Sequence, residues 1–274
     1  MLVVFSEQCL EYSFPFHPES AERVKSIYDS LERNGFQFVN TKLASKDEVL
    51  KVHTAEHFKK IESGNYFDPD TPIIDIKYPL IAAGTAIKAA KLQGFALARP
   101  PGHHAGKNFL GGFCYLNNIA IAVKALNKKR TAILDIDAHH GNGTEDIFFN
   151  DKQTLYVSLH QSSLYPGTGL KSEANCFNFP LPRKTGEKRY LKTLSKALEK
   201  VVDFNPDIVA VSLGFDTYYK DPLSDFELKE KSYEKIAKML RKAIDSINAK
   251  CFVVLEGGYS KEIGKLALSF FKNF

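Results

Sequence analysis

Short apolar, β-branched runs alternate along this chain with longer stretches whose apolar residues recur every three to four positions. The runs predict strands at residues 2–5, 36–39, 95–98, 131–135, 154–159, 208–213 and 251–255. Several are apolar at consecutive positions, as in Ala132-Ile133-Leu134 and Phe252-Val253-Val254-Leu255, the pattern of a strand covered on both faces. The longer stretches predict helices at 21–33, 80–92, 116–126, 188–202, 230–247 and 261–271. Such alternation implies an α/β fold, a mostly parallel central sheet with helices on both faces. No repeat, low-complexity segment or Gly/Ser/Pro linker divides the chain, so residues 1–274 read as a single domain.

In an open sheet of this kind, ligands bind outside the carboxyl ends of the strands. Polar, reactive residues collect at five of those ends. The run 95–98 leads into Arg99-Pro100-Pro101-Gly102-His103-His104, and 131–134 into Asp135-Ile136-Asp137-Ala138-His139-His140-Gly141-Asn142-Gly143. Run 154–159 ends at His160, 208–213 at Gly214-Phe215-Asp216, and 251–255 at Glu256-Gly257-Gly258-Tyr259. These ends, distant in sequence, would face one crevice.

Asp137 and His139 are two apart on an extended segment, so both side chains project to one side and reach one ion. Asp216 offers a third ligand from another strand end. Two carboxylates and an imidazole leave a position for water and a carbonyl oxygen, as in catalytic zinc sites. The oxygen-rich set also suits Fe²⁺, Mn²⁺ or Co²⁺. A lone Asp-x-His more often caps a turn; here it leaves a buried strand and is joined by a second histidine pair. His103 and His104 follow the stiff turn Pro100-Pro101-Gly102. Adjacent imidazoles are costly to protonate together, so one is free to remain a neutral base, with Asp135 and Asn142 as orienting partners. Tyr259 follows two glycines, and its phenol could donate to a developing oxyanion.

Composition narrows the class. At 44% hydrophobic and 25% charged, the chain has the make-up of a globular protein. Its apolar runs stop well short of a membrane span and no leader pattern is present, so a cytoplasmic protein without a membrane partner is expected. The cysteines Cys9, Cys114, Cys176 and Cys251 lie far apart with no Cys-x-x-Cys pair, which argues against a Cys-ligated zinc or a disulfide framework. The net charge of +5 is spread over helical lysines with no dense basic block, so direct nucleic-acid binding is not expected.

In this order, Arg-Pro-Pro-Gly-His-His-Ala, Gly-Gly-Phe-Cys-Tyr-Leu-Asn-Asn, Asp-Ile-Asp-Ala-His-His-Gly-Asn-Gly-Thr, Tyr-Pro-Gly-Thr-Gly, Leu-Gly-Phe-Asp and Glu-Gly-Gly-Tyr resemble the arginase–deacetylase superfamily. Within it the chain is similar to histone deacetylase-like amidohydrolases: acetoin-utilisation proteins, acetylpolyamine amidohydrolases and class II histone deacetylases. The resemblance spans most of the chain, from His17-Pro18-Glu19 and Glu22-Arg23 onward. It implies the arginase–deacetylase fold and a zinc-dependent deacetylase that hydrolyses N-acetyl amides. Residue by residue, it implies Asp137, His139 and Asp216 as zinc ligands and His104 as general base and acid. His103 becomes its electrostatic companion, oriented by Asp135. Asn142 stands where class I members carry Asp. Tyr259 matches the oxyanion-stabilising tyrosine, and Gly112, Phe113 and Tyr165 match the wall of an acyl-lysine tunnel, with Tyr165 replacing a commoner Phe. Arg23 resembles the arginine of an internal acetate channel. A structural potassium ion is implied at Asp135, Asp137, His139, Ser158 and Leu159, and a second near Phe148 and Asp151.

Leu223, after Asp221-Pro222, falls at a rim position where polyamine-selective relatives can carry an acidic residue. An apolar side chain offers nothing there to a second ammonium, so an acetylated protein or peptide is the expected substrate, with a small acetylated amine as the alternative. An arginase-like ureohydrolase would need additional Asp and His ligands for a second metal, and those motifs are missing. A non-catalytic acetyl-lysine binder would be expected to lack Tyr259 or the tandem histidines, and both are present.

Overall fold

The computed structural model describes residues 1–127 and 130–274. Among them eight strands form one sheet: β1 (Val3–Val4), β2 (Phe38–Val39), β3 (Phe95–Ala96), β4 (Thr131–Asp135), β5 (Thr154–Gln161), β6 (Cys176–Leu181), β7 (Ile208–Leu213) and β8 (Lys250–Leu255). Their order is β2-β1-β3-β8-β7-β4-β5-β6, and every neighbouring pair is parallel. The expected mostly parallel sheet is therefore wholly parallel. In chain order the helices are α1 (Ala21–Glu32), α2 (Lys46–Val49), α3 (Ala55–Glu62), α4 (Lys77–Leu92), α5 (Asn118–Leu126), α6 (Asn142–Phe148), α7 (Glu187–Phe204), α8 (Glu230–Ser246) and α9 (Ile263–Phe271).

Consecutive apolar residues in the central strands serve two cores, because successive side chains point to opposite faces. On one face Leu134, Val157, Val211 and Val253 pack with Ile27 of α1, Leu194 of α7, Leu240 of α8 and Phe270 of α9. On the other, Ile133, Tyr156, Ala210 and Phe252 pack with Ala86 and Ile87 of α4 and Ile119 and Val123 of α5. Each large apolar side chain so enclosed stabilises the fold by roughly 1.5–3 kcal/mol before conformational entropy is counted.

Strand β6 has no counterpart among the expected elements. It is an edge strand, half of it only partly buried, that carries Pro180, a residue an edge tolerates and a central strand does not. Helices α2 and α3 are also additional; α2 is one turn closed by a capping box of Ser45 and Glu48. Helix α6 begins within a Gly-rich stretch that reads as loop. Gly143 is needed there, because a Cβ would sit 2.4 Å from the Ala105 carbonyl carbon. The close approach seats α6 against the His103–His104 loop. No helix among the described residues is long and apolar enough to cross a membrane, and all four cysteines are free and buried.

The sheet order decides where chemistry can occur. Strands β3, β8, β7, β4 and β5 are consecutive neighbours, and they are the five whose carboxyl ends carry the polar clusters.

Candidate active site

Asp137 and His139 leave the end of β4, and Asp216 leaves the end of the adjacent β7. His139 Nδ1 lies 3.0 Å from Asp137 Oδ1 and 2.8 Å from Asp216 Oδ2. All three residues are buried, with one donor atom from each within 4.8 Å of the others. Burial and the neighbouring Asp137 push Asp216 above the usual carboxylate range. Burial alone would lower His139, but its bonds to Asp137 and Asp216 outweigh that and hold the imidazole up at about 10. Two buried carboxylates and an imidazole thus face one point, and a cation there would satisfy all three ligands at once. Backbone packs tightly behind them. A Cβ on Gly257 would lie 2.6 Å from Asp137 Oδ2, and one on Gly214 would lie 2.3 Å from the same oxygen.

The histidine pair sits beside this cluster with ring centroids 4.1 Å apart. His103 Nδ1 lies 3.1 Å from Asp135 Oδ2, and its Nε2 faces Asp137 Oδ1 at 3.8 Å. Burial would lower His103, but Asp135 and Asp137 overcome it and raise the imidazole to about 10. His104 Nδ1 lies 2.8 Å from Asn142 Oδ1, a neutral partner. Burial, and then the charges of His103 and His139, hold His104 well below the ordinary histidine value. One imidazole of the pair is charged and the other is neutral.

Glu256 fixes the pair's backbone. Its Oε2 accepts the N–H groups of Gly102 and His103 at 2.8 and 3.2 Å, and its Oε1 accepts the Ser212 hydroxyl at 2.9 Å. Arg99, wholly buried, grips both oxygens of Glu19, whose Oε1 also meets Arg23 Nη1 at 3.3 Å. Arg23 in turn donates to the carbonyls of Glu256 and Gly258 and lies 4.6 Å from the Tyr259 ring centroid. Burial raises the Tyr259 phenol well above its usual value, so it remains a donor.

These groups wall a cavity of about 220 Å³ shared by His103, His104, His139 and Tyr259. Gly112, Phe113, Tyr165 and Leu223 line it as well. The Tyr165 ring meets His104 edge-on at 5.0 Å, and the Phe113 ring meets Tyr259 edge-on at 5.7 Å. Leu164 and Asp70, which no sequence motif marks, line it too. Asp70 follows α3 on an irregular loop, where neither periodicity nor a strand end marks it. A larger hollow of about 480 Å³ lies between α4 and residues 40–44, with Lys42, Lys88 and Lys91 on its walls and no catalytic grouping.

Some strand-end residues do not join the cavity. His140 pairs with Thr168 Oγ1 at 2.8 Å and Glu145 Oε2 at 3.1 Å, and His160 with Ser158 Oγ and the Gly169 carbonyl. Both support the loop that carries Tyr165. At the expected second potassium position, the Phe148 carbonyl accepts from Asn175 Nδ2 and the Asp151 N–H, and the Lys124 ammonium sits 3.0 Å from Asp151.

The histone deacetylase domain family matches residues 17–272 of this chain. A probable deacetylase of Archaeoglobus fulgidus is 40% identical, with 95% of this chain and 81% of that one covered. Acetylpolyamine amidohydrolase 1 of Pseudomonas aeruginosa is 37% identical over 73% of this chain and 63% of its own. Among solved structures, the HD domain of HDA15 superposes with a TM-score of 0.90 at 33% identity, covering 99% of this chain and 88% of that one.

Proposed function

The chain belongs to the histone deacetylase domain family, and from that membership we propose that it is a zinc-dependent deacetylase releasing acetate from acetylated lysine side chains of proteins or peptides. The observation that carries this reading is the His139 imidazole meeting two buried carboxylates within the wall of a cavity that also holds Tyr259 and a His104 bonded to the Asn142 carboxamide.

Asp137, His139 and Asp216 would hold the zinc, and the donor set fits, being anionic, buried and closed in by glycine backbone. The same set accommodates Fe²⁺ or another divalent ion. Bound there, the ion supplies Lewis acidity for the amide carbonyl and lowers the pKa of water. The chain's own groups do the rest. The Nδ1–H of His104 donates to Asn142 Oδ1, which leaves the Nε2 lone pair free to take a proton from the attacking water. The charged His103 beside it, held by Asp135, keeps His104 from being protonated prematurely. Tyr259 donates to the developing oxyanion. His104 then returns its proton to the departing amine nitrogen as the C–N bond breaks, giving acetate and a free amine. Phe113 and Tyr165 flank the methylene stem, with Gly112 and Leu223 completing the wall.

We further assign the potassium position to Asp135, Asp137, His139, Ser158 and Leu159. Asp135 and Ser158 are in register across β4 and β5. No donor among the described residues reaches the Asp137 and His139 carbonyls, which leaves them available to a cation. Four free cysteines and the lack of a membrane-crossing helix among the described residues support action in the cytoplasm.

Asp70 favours a second reading, a small acetylated polyamine, because its carboxylate at the cavity could receive a distal ammonium. One experiment separates the readings: metal analysis, with acetate release from acetyl-lysine peptide and N-acetylputrescine measured in parallel. Faster turnover of the peptide supports the first reading, and faster turnover of N-acetylputrescine the second. Release from neither by the metal-loaded protein overturns both.

A further inference from the structure

Tyr259 reaches the cavity on a turn whose peptides are held by buried side chains from elsewhere in the fold. Arg23 donates to the Glu256 and Gly258 carbonyls at 2.7 and 2.5 Å, and the Gly257 N–H donates to Asp137 Oδ2 at 2.7 Å. The Phe215 N–H also donates to the Gly257 carbonyl at 3.1 Å, and a further tie is to Asp221. Its Oδ2 accepts the Tyr259 N–H at 2.6 Å, and its Oδ1 accepts the Leu223 N–H at 3.0 Å. A turn of the Asp221-Pro222-Leu223 kind needs only the second bond. The first crosses from the loop after β7 to the loop after β8, and it places a carboxylate that is 6% exposed against the backbone of the phenol.

We propose that Asp221 is a positioning residue for the reaction: its carboxylate joins the Tyr259 peptide to the Leu223 rim, so that the oxyanion donor and the edge of the substrate tunnel are set by one side chain. The inference rests on the role given to Tyr259 above. Both partners of Asp221 are N–H donors, so both of its oxygens must accept. Asparagine supplies one acceptor and one donor and can satisfy only one of the two. Gly258, at φ +112°, gives the turn a backbone that side-chain-bearing residues rarely adopt, so local stiffness does not place Tyr259. The hydrogen bonds do. A small displacement of the phenol is enough to cost rate, because an oxyanion donor works only near its ideal distance.

The test compares metal-loaded wild type, Asp221→Asn, Tyr259→Phe and the double variant on an acetyl-lysine peptide. Asp221→Asn is expected to lower kcat by about tenfold, with KM within about twofold and metal content unchanged. On the Tyr259→Phe background the same substitution is expected to cost kcat less than about twofold, since the oxyanion donor it positions is gone and only the Leu223 rim, which takes no part in the chemical step, remains tied to it. Equal losses on both backgrounds, or an unchanged kcat in Asp221→Asn, would overturn the proposal. Amide hydrogen exchange reads the tie without using activity. Protection at the Tyr259 or Leu223 N–H should fall in Asp221→Asn while the sheet amides keep theirs; unchanged protection at both also overturns it. A wild type that releases no acetate would sink the functional reading instead, and leave the exchange measurement to judge the Asp221 tie.

Discussion

The Asn142 carboxamide and the His104 imidazole form a neutral pair at 2.8 Å, while one residue earlier in the chain His103 meets a carboxylate. The difference divides their labour. His104→Ala removes the proposed proton carrier and is expected to lower kcat/KM by roughly a hundredfold or more, whereas His103→Ala should lose less. The comparison is best made on an activated acetyl-lysine substrate, and the reverse order would mean that the roles are exchanged. Asn142→Asp would put an anion beside His104 and raise its pKa, moving the acid limb of the kcat/KM profile to higher pH.

Metal retention checks the ligand cluster directly. Asp216→Asn or His139→Ala removes one of three protein donors, so bound metal and amide hydrolysis should fall together. Full metal content after dialysis in either variant would refute the assignment.

Gly257→Ala tests the same cluster without touching a donor. The added methyl would stand 2.6 Å from Asp137 Oδ2 and 2.8 Å from Asp216 Oδ2. One of the carboxylates must move, so metal affinity should drop by about tenfold or more while the far-ultraviolet dichroism stays that of wild type. An unaltered affinity would show that these oxygens can shift freely.

Selectivity is read at the mouth. Leu223→Glu should raise kcat/KM for N-acetylspermidine relative to an acetyl-lysine peptide by several-fold to about tenfold, an effect that fades with added salt. Asp70→Asn should shift the ratio the other way. If neither variant changes it, these two residues do not select the amine.

Acid stability has a source outside the site. Burial, and then its stacked neighbour His57, depress His53 to about 3; its ring is hydrogen-bonded to the Gly106 carbonyl and the Asn117 N–H. The unfolded chain binds that proton near pH 6.5 and the folded one does not. Stability is therefore complete above pH 6.5 and declines as pH falls towards 3, by roughly 1.4 kcal/mol per pH unit from this group. Urea unfolding between pH 7 and 4 should show a shallower decline in His53→Gln than in wild type. Parallel declines would discharge His53 from the effect.

What sequence made legible follows from where physical constraint is local. Strands β4, β5, β7 and β8 declare themselves because burial on both faces forces consecutive apolar residues. The Asp137, His139 and Asp216 cluster and the histidine pair declare themselves as candidates because strand ends point at one crevice. Strand β6 stayed hidden because an edge tolerates Pro180 and half-exposed positions, and α6 because Gly141 and Gly143 look like loop while serving a close packing contact. Asp70 could not be seen at all, since an irregular loop carries no period. Glu256 was visible only as a strand terminus; its grip on the Gly102 and His103 peptides is a long-range contact that residue type alone does not encode.

The sheet order also says something about how the chain assembles itself. Strand β8 comes last of the eight in sequence, yet it lies between β3 and β7. Until it is in place, β2-β1-β3 and β7-β4-β5-β6 are separate ribbons with no backbone hydrogen bond between them. What then links the ends that carry His103 and Asp137 is side-chain and loop contact, such as His103 to Asp135 and the Thr144 N–H to the His103 carbonyl. A ribosome must therefore deliver β8 before the eight strands close into one sheet, and the two unjoined strand edges are what a chaperone would have to shield in the meantime.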